Sequence, residues 1–166
     1  MARLIFIGVF LGWTAFVAVS DIRFRRIANS LVLTGLVCGF GCAFLRANPF
    51  DVLPAQALTG MLAGLIAFFP FFLLRVMGSA DVKVFAVLGA WCGAQALPWL
   101  WVVASLAGGV HALVLMLLAH TSFGALWRRG EPSLMLGGRR ATPYAACLVV
   151  PAAVWLLYVV AIRGVK

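Results

Sequence analysis

Acidic residues are scarce in this sequence: only four of its 166 residues are aspartate or glutamate, against 13 lysines and arginines. Charged residues of both signs make up 10% of the chain, whereas 65% is hydrophobic and the mean hydropathy is +1.12. So little polar surface could not cover a soluble core of this size. The composition therefore excludes a soluble globular domain and predicts an integral membrane protein.

The sequence also lacks the patterns of a metal or nucleic-acid site. Its basic residues form short clusters between apolar runs, with no basic surface bearing aromatic residues, so we expect no nucleic-acid partner. All four cysteines lie inside apolar runs and resemble small packing residues, and His111 and His120 have no matching ligand set. We therefore expect no metal and no cofactor.

Six apolar runs approach the ~20 residues that a helix needs to cross ~30 Å of hydrocarbon. They predict an all-α, compact bundle of six transmembrane helices in a single domain, residues 1–166. The first run is interpreted as a retained helix rather than a cleaved signal peptide. The fourth run is short, and we expect Pro98 to stop it. The predicted spans are 4–20, 27–45, 55–74, 82–97, 99–119 and 143–162.

Basic residues are distributed unevenly between the two sides of this bundle. Loops one, three and five carry nine of them, and the other side carries four. The positive-inside rule then places those three loops in the cytoplasm, including the long loop 121–142, and both termini outside. The arginines of loop one are expected to contact anionic lipid headgroups.

Pairs of glycines four residues apart recur on four of the predicted helices. Such glycines share one helix face and let two helix backbones approach closely, which indicates a compact bundle. The pairs are Gly8/Gly12, Gly35/Gly39, Gly60/Gly64 and Gly89/Gly93.

The four acidic residues differ in their surroundings. Asp51 lies in a proline-flanked turn, and Glu131 lies among arginines of the long loop, so neither is assigned any chemistry. Asp21 ends the first predicted span and Asp81 begins the fourth, which puts both at the same predicted side and depth. Taken singly, Asp81 could simply stabilise the N-terminus of the fourth helix through the helix dipole, and Asp21 could form a weak surface ion pair with Arg25.

Taken together, Asp21 and Asp81 indicate a functional site rather than residues that only mark two helix ends. Two carboxylates that face each other share a proton, because the like charge raises one pKa. Such a pair can activate water and protonate the leaving amine of a peptide bond. The sequence thus predicts an aspartic-protease dyad.

Three segments give the chain a family resemblance: "DIRFRRIANSLV" from Asp21, "GSADVKVFAVLGAWCG" from Gly78 and "TPYAACLVVPA" from Thr142. They resemble, in order, the motifs of type IV prepilin peptidases, and the length resembles the short forms associated with Flp/Tad-type pili. The resemblance implies a GxGD-type membrane aspartic endopeptidase of the bacterial cytoplasmic (inner) membrane, with periplasmic termini. It would remove the basic leader of prepilins or pseudopilins at the cytoplasmic face, using Asp21 and Asp81. The sequence has no cofactor signature to support the N-methyltransferase activity of some long forms.

Motif residues around the dyad receive weaker assignments. Gly78 and Lys83 match the G-x-G-D-x-K pattern, whereas Ala80 replaces its second glycine, which would suit unusual backbone angles. Ala28 replaces the proline of the first motif, and Asn29 is retained. We expect Asn29 to cap span two, the alternative being a hydrogen bond near the site. Lys83 could meet lipid phosphate, Asp21 or substrate, and a headgroup contact is favoured.

Three other functions remain open. A presenilin-like protease would also use two membrane aspartates, although cleavage within a span favours acids at mid-depth. A small transporter or channel could use both carboxylates as a cation site, but the sequence has no evident inverted repeat. A non-catalytic scaffold of a pilus or secretion assembly would fit the loss of glycine at position 80.

Overall fold

The computed structural model describes residues 2–24, 26–119 and 144–163. All regular secondary structure within these ranges is helical, as the composition and apolar runs predict. A 3-10 turn, Ala94–Ala96, precedes the fifth helix. The predicted loop 121–142 lies outside the described residues. The described residues form the α-helices α1 (Ala2–Phe24), α2 (Asn29–Phe44), α3 (Pro54–Leu73), α4 (Ser79–Cys92), α5 (Leu97–Ala119) and α6 (Tyr144–Arg163).

Four helical segments of the described chain are long and apolar enough to cross a membrane: Ala2–Phe24, Pro54–Leu73, Ala94–Val114 and Tyr144–Ile162. They make the chain a multi-pass membrane protein. The other two helices are shorter, since α2 has 16 residues and α4 has 14. The six-span bundle and the outside position of both termini therefore stay predictions.

Helix α4 is the centre of the bundle. It packs against α2, α3, α5 and α6, and from Val82 to Cys92 every residue except Lys83 is buried. Val84, Val87, Leu88, Ala90 and Trp91 have no exposed surface at all. An apolar helix enclosed by other helices does not meet lipid along its length, which fits its shortness.

Glycines on α3 and α2 let their neighbours approach this central helix. A Cβ atom added at Gly60 would collide with the backbone of Gly89, and one at Gly64 would lie 2.8 Å from the carbonyl oxygen of Phe85. On α2, Gly35 and Gly39 give room to the indole rings of Trp13 and Trp91. These close contacts confirm the packing role predicted for Gly35/Gly39 and Gly60/Gly64, whereas of the pair Gly89/Gly93 only Gly89 packs closely, because Gly93 lies beyond the end of α4.

The same indoles tie α1 and α4 to α2. Trp13 Nε1 donates to the carbonyl oxygen of Leu31 at 2.8 Å, and Trp91 Nε1 donates to that of Gly35 at 2.9 Å. Both acceptors lie on one side of α2, a turn apart. The two bonds therefore fix the height of α1 and α4 against the same helix.

The prediction of packing at Gly8 and Gly12 is wrong. An added Cβ at either position would have no other atom within 4 Å, so this face of α1 contacts no other described part of the chain. The buried face of α1 is instead formed by larger side chains. They are Ile7, Phe10, Trp13, Thr14, Val17 and Asp21.

The prediction that Pro98 stops the fourth span is also wrong. Helix α4 ends at Cys92 because Gly93 adopts φ 77° and ψ 164°, a conformation that residues with a Cβ rarely adopt. Pro98 lies instead in the first turn of α5, where its missing N–H costs no helical hydrogen bond. Nearby, the buried side chain of Asn48 donates to the carbonyl oxygen of Trp91 at 3.1 Å.

The glycine contacts predict opposite results for two identical substitutions. Gly60→Ala should destabilise the protein by about 1–3 kcal/mol, because the added methyl group pushes α3 away from α4. Gly8→Ala should be neutral or stabilising, since alanine has the better helix propensity and the methyl group meets open space. Thermal unfolding in detergent, followed by circular dichroism, measures both. Equal melting temperatures for the two variants would contradict the packing.

Candidate active site

Asp21 continues the buried face of α1. The spacing of Phe10, Thr14, Val17 and Asp21 is three or four residues, so the carboxylate follows the packed stripe towards the end of the helix. Only 8% of Asp21 is exposed. Its Oδ2 accepts a hydrogen bond of 2.8 Å from the backbone N–H of Ala146 on α6. Asp21 therefore lies in the last turn of α1, at the end of the first span as predicted, although the helix continues to Phe24.

Asp81 is the third residue of α4, in a turn whose N-cap is Gly78. Its carboxylate accepts backbone hydrogen bonds from Gly78 and from Ala145 of α6. The bond back to the N-cap satisfies an N–H that the helix leaves free, as in one half of a capping box. A Cβ at Gly78 would lie 3.3 Å from Asp81 Oδ2, so glycine gives this carboxylate room.

The two aspartates meet at the N-terminus of α6. Asp81 takes the N–H of Ala145, and Asp21 takes that of the next residue, Ala146. The first N–H groups of a helix have no partner within it, and the helix dipole attracts negative charge to that end. The structure thus brings together the two acids that the sequence pairs, close enough for the charge of Asp21 to raise the pKa of Asp81.

Burial and the charge of Asp21 both raise the pKa of Asp81. Asp81 precedes the apolar run of α4 that begins at Val82. Loss of water contact, and after it the charge of the neighbouring Asp21, raise the pKa of this carboxyl to about 6, although the N–H groups of Gly78 and Ala145 oppose the rise. A carboxyl with this pKa holds its proton closer to neutral pH than an ordinary aspartate, as an acid–base pair requires.

Lys83 and Asn29 contact each other rather than the aspartates. Lys83 Nζ donates to Asn29 Oδ1 at 2.8 Å, which joins the first turns of α4 and α2. The prediction that Asn29 caps span two is wrong: Ala28 is the N-cap residue, and no side chain caps that end. Asn29 already lies within the helix, where its amide oxygen points to the lysine.

Ala80 fits the backbone that it occupies. It is the second residue of α4, and helical dihedral angles suit alanine as well as glycine. The positive φ angles of non-glycine residues in the described chain are those of Arg46, Asp51 and Arg75. The replacement of the motif glycine therefore imposes no strain there.

The role of α6 is what the sequence interpretation missed. Its donors are backbone groups, which no side-chain pattern reveals, although a proline at position 143 just before the helix was a signal for a helix start. Cys147 follows Ala146 on α6, and the charges of both aspartates act on its side chain. Among the described residues, no group of three histidines, cysteines or acids could hold a metal ion.

A family model matches the segment that carries this site. The model, described as the type IV leader peptidase family, aligns with residues 8–113, which include Asp21 and Asp81. The chain belongs to the type IV leader peptidase family. No solved structure matches it at a comparable significance.

Two curated relatives support the same family. The chain is 29% identical over 133 residues to a "Type 4 prepilin-like proteins leader peptide-processing enzyme" of Escherichia coli O78:H11 (strain H10407 / ETEC), covering 76% of this chain and 46% of that protein. It is 37% identical over 109 residues to a "Prepilin leader peptidase/N-methyltransferase" of Dickeya chrysanthemi, covering 61% and 38%. The chain thus spans less than half the length of these relatives.

The proximity of the two acids predicts a coupled titration. The chain contains three aspartates, so carboxyl-labelled [¹³C]aspartate gives three NMR signals. The Asp81 signal should titrate near pH 6. In Asp21→Asn its midpoint should fall, because the neighbouring charge is removed, but burial should keep it above the ordinary value of ~3.9.

Asp51→Asn is the matched control, since it removes the one aspartate that pairs with Arg3 in the described structure, away from the site. It should leave the midpoint of Asp81 unchanged. An Asp81 midpoint that ignores Asp21→Asn would show that the two carboxyls do not interact.

Proposed function

We propose that this chain is a membrane aspartic endopeptidase that removes the leader of prepilins or pseudopilins, with Asp21 and Asp81 as its catalytic pair. One observation carries the proposal: both carboxylates bind adjacent N–H groups of α6 and interact with each other. Family membership supports the reaction class, and the printed names of the two relatives support the substrate class.

The pair supplies both halves of peptide hydrolysis. One carboxyl is protonated and the other ionised, because two adjacent negative charges are unfavourable. The carboxylate takes a proton from a water molecule as the oxygen of that water attacks the peptide carbonyl carbon. The carboxylic acid gives its proton to the leaving nitrogen as the C–N bond breaks, so each cycle exchanges the roles of the pair without net proton gain. The two groups titrate as a unit.

The position of the pair supports cleavage near the membrane surface rather than within a span. Asp21 lies in the last turn of α1 and Asp81 in the first turn of α4. Arg23 lies two residues after Asp21 and Lys83 two residues after Asp81, and both are exposed. Because charged groups are costly in hydrocarbon, these residues favour a position near the membrane surface. This placement favours a leader peptidase over a presenilin-like protease.

The cytoplasmic side is proposed from the charge distribution. In the predicted topology, loops one, three and five lie on the side of the two aspartates, and they carry nine of the 13 basic residues of the chain. Exposed Arg23, Arg26 and Lys83 are suited to anionic lipid headgroups at that face. The helical backbone at Ala80 needs no glycine for its dihedral angles, which supports a catalytic chain rather than a non-catalytic scaffold.

Substitution of either catalytic aspartate tests this function. Purified protein in lipid should cleave a prepilin between its leader and mature sequence. Asp21→Asn and Asp81→Asn should each lower kcat/KM by at least ~100-fold, because each removes a proton donor or acceptor. Mass spectrometry of the mature N-terminus measures the cleavage.

Asp51→Asn is again the control and should cleave like the unmodified protein. Full cleavage by either dyad variant would exclude the proposed catalytic pair. Absence of cleavage by the unmodified protein, with its fold intact, would favour the scaffold or transport function instead.

A further inference from the structure

We propose that Tyr144 and Ser105 form a positioning pair that holds the first turn of α6, and through it the two N–H groups that bind the aspartates. The inference rests on the proposed function, because it assigns the pair a role in that site. Neither residue is proposed to touch the substrate.

A hydrogen bond between side chains of α5 and α6 carries the inference. The Tyr144 hydroxyl lies 3.0 Å from Ser105 Oγ, and Trp101, one turn earlier on α5, also interacts with this hydroxyl. Tyr144 is the first residue of α6, directly before Ala145 and Ala146. The contact therefore restrains the chain at the point where the two donor N–H groups begin.

The ring of Tyr144 is also close to the α4 side of the site. Its centroid lies 6.5 Å from that of Phe68 on α3, and Phe68 stacks on Phe85 of α4 with centroids 3.9 Å apart. The phenol lies within electrostatic range of Asp81. Tyr144 is thus held between α3 and α5, beside the carboxylate that its own helix binds.

The first turn of a helix needs such a restraint. Its N–H groups make no bonds within the helix, and helix ends fray when nothing holds them. The N–H groups of Ala145 and Ala146 depend on the aspartates, so movement of the turn would move both carboxylates together. A bond from Tyr144 to another helix limits that movement.

An apolar environment makes the hydroxyl pair effective. Ser105 lies on the outer face of α5 among exposed Val102, Leu106 and other apolar side chains. These apolar side chains offer no hydrogen-bond partner to replace a lost hydroxyl. Hydrogen bonds between transmembrane helices contribute modestly but measurably to stability under these conditions.

The test removes one hydroxyl at a time. Tyr144→Phe and Ser105→Ala should each lower kcat about threefold to tenfold, with KM little changed, because the dyad is misplaced while substrate contacts remain. The double variant should be no worse than either single variant. Ser105→Thr should restore activity, since it keeps a hydroxyl.

Tyr158→Phe is the matched control, because Tyr158 is the other tyrosine of the chain and is exposed near the far end of α6. It should behave like the unmodified protein. Additive losses in the double variant, or activity of Tyr144→Phe equal to that of Tyr158→Phe, would overturn the pairing. If Tyr144→Phe lowers the melting temperature, its loss of activity could reflect instability, and the activity of Ser105→Ala then decides whether the pair has a positioning role.

Amide hydrogen exchange separates this inference from the proposed function. Exchange at Ala145 and Ala146 should be about threefold to tenfold faster in Tyr144→Phe and Ser105→Ala than in Tyr158→Phe. This readout needs no substrate, so it decides the positioning role even if the unmodified protein fails to cleave a prepilin. Unchanged exchange in both variants would overturn the inference, whatever their activity.

Discussion

Two neighbouring N–H groups at the start of α6 are the contacts on which the site depends. They let Asp21 and Asp81 lie beside each other in a largely buried place, where like charges would otherwise separate. The carboxylates come from α1 and α4, which are far apart in sequence, and the backbone of α6 binds both. Burial and mutual charge favour a shared proton, whereas the donors and the helix dipole favour ionisation. In the proposed mechanism, the balance between these effects produces one acid and one base.

The rest of the bundle serves to hold α4 at the height that this contact requires. Glycine contacts with α3 and the hydrogen bond from Trp91 to α2 fix the helix sideways and along its axis. Gly93 ends α4 after Cys92. The last turn of α4 is held by the side chain of Asn48, which donates to the carbonyl oxygen of Trp91. The bond from Lys83 to Asn29 anchors the first turn of α4 to α2 on the side away from Asp81.

Apolar runs were sufficient to predict that the described residues are helical and roughly where the helices lie, and the positions of Asp21 and Asp81 at the ends of predicted spans indicated that the two acids meet. The apolar runs could not separate α4 from α5 correctly, because Gly93 and Pro98 are both plausible helix breakers and only the backbone angles decide. Gly8 and Gly12 have the same pattern as the packed glycines but no neighbour, since pattern does not specify which face is covered. The donors of α6 and the contact of Lys83 with Asn29 depend on tertiary geometry between distant segments. No local rule in the sequence contains that information.

The N–H of Ala146 offers the most direct measurement of the central claim. An amide-to-ester substitution at this residue replaces only that N–H by oxygen, and the same change at Ala153, in the middle of α6, is the control for a lost backbone donor. Hydrogen bonds to charged groups contribute about 1.5–3 kcal/mol, so kcat/KM for prepilin cleavage should fall roughly tenfold to 100-fold at position 146 and much less at position 153. Equal activity of the two esters would contradict the account.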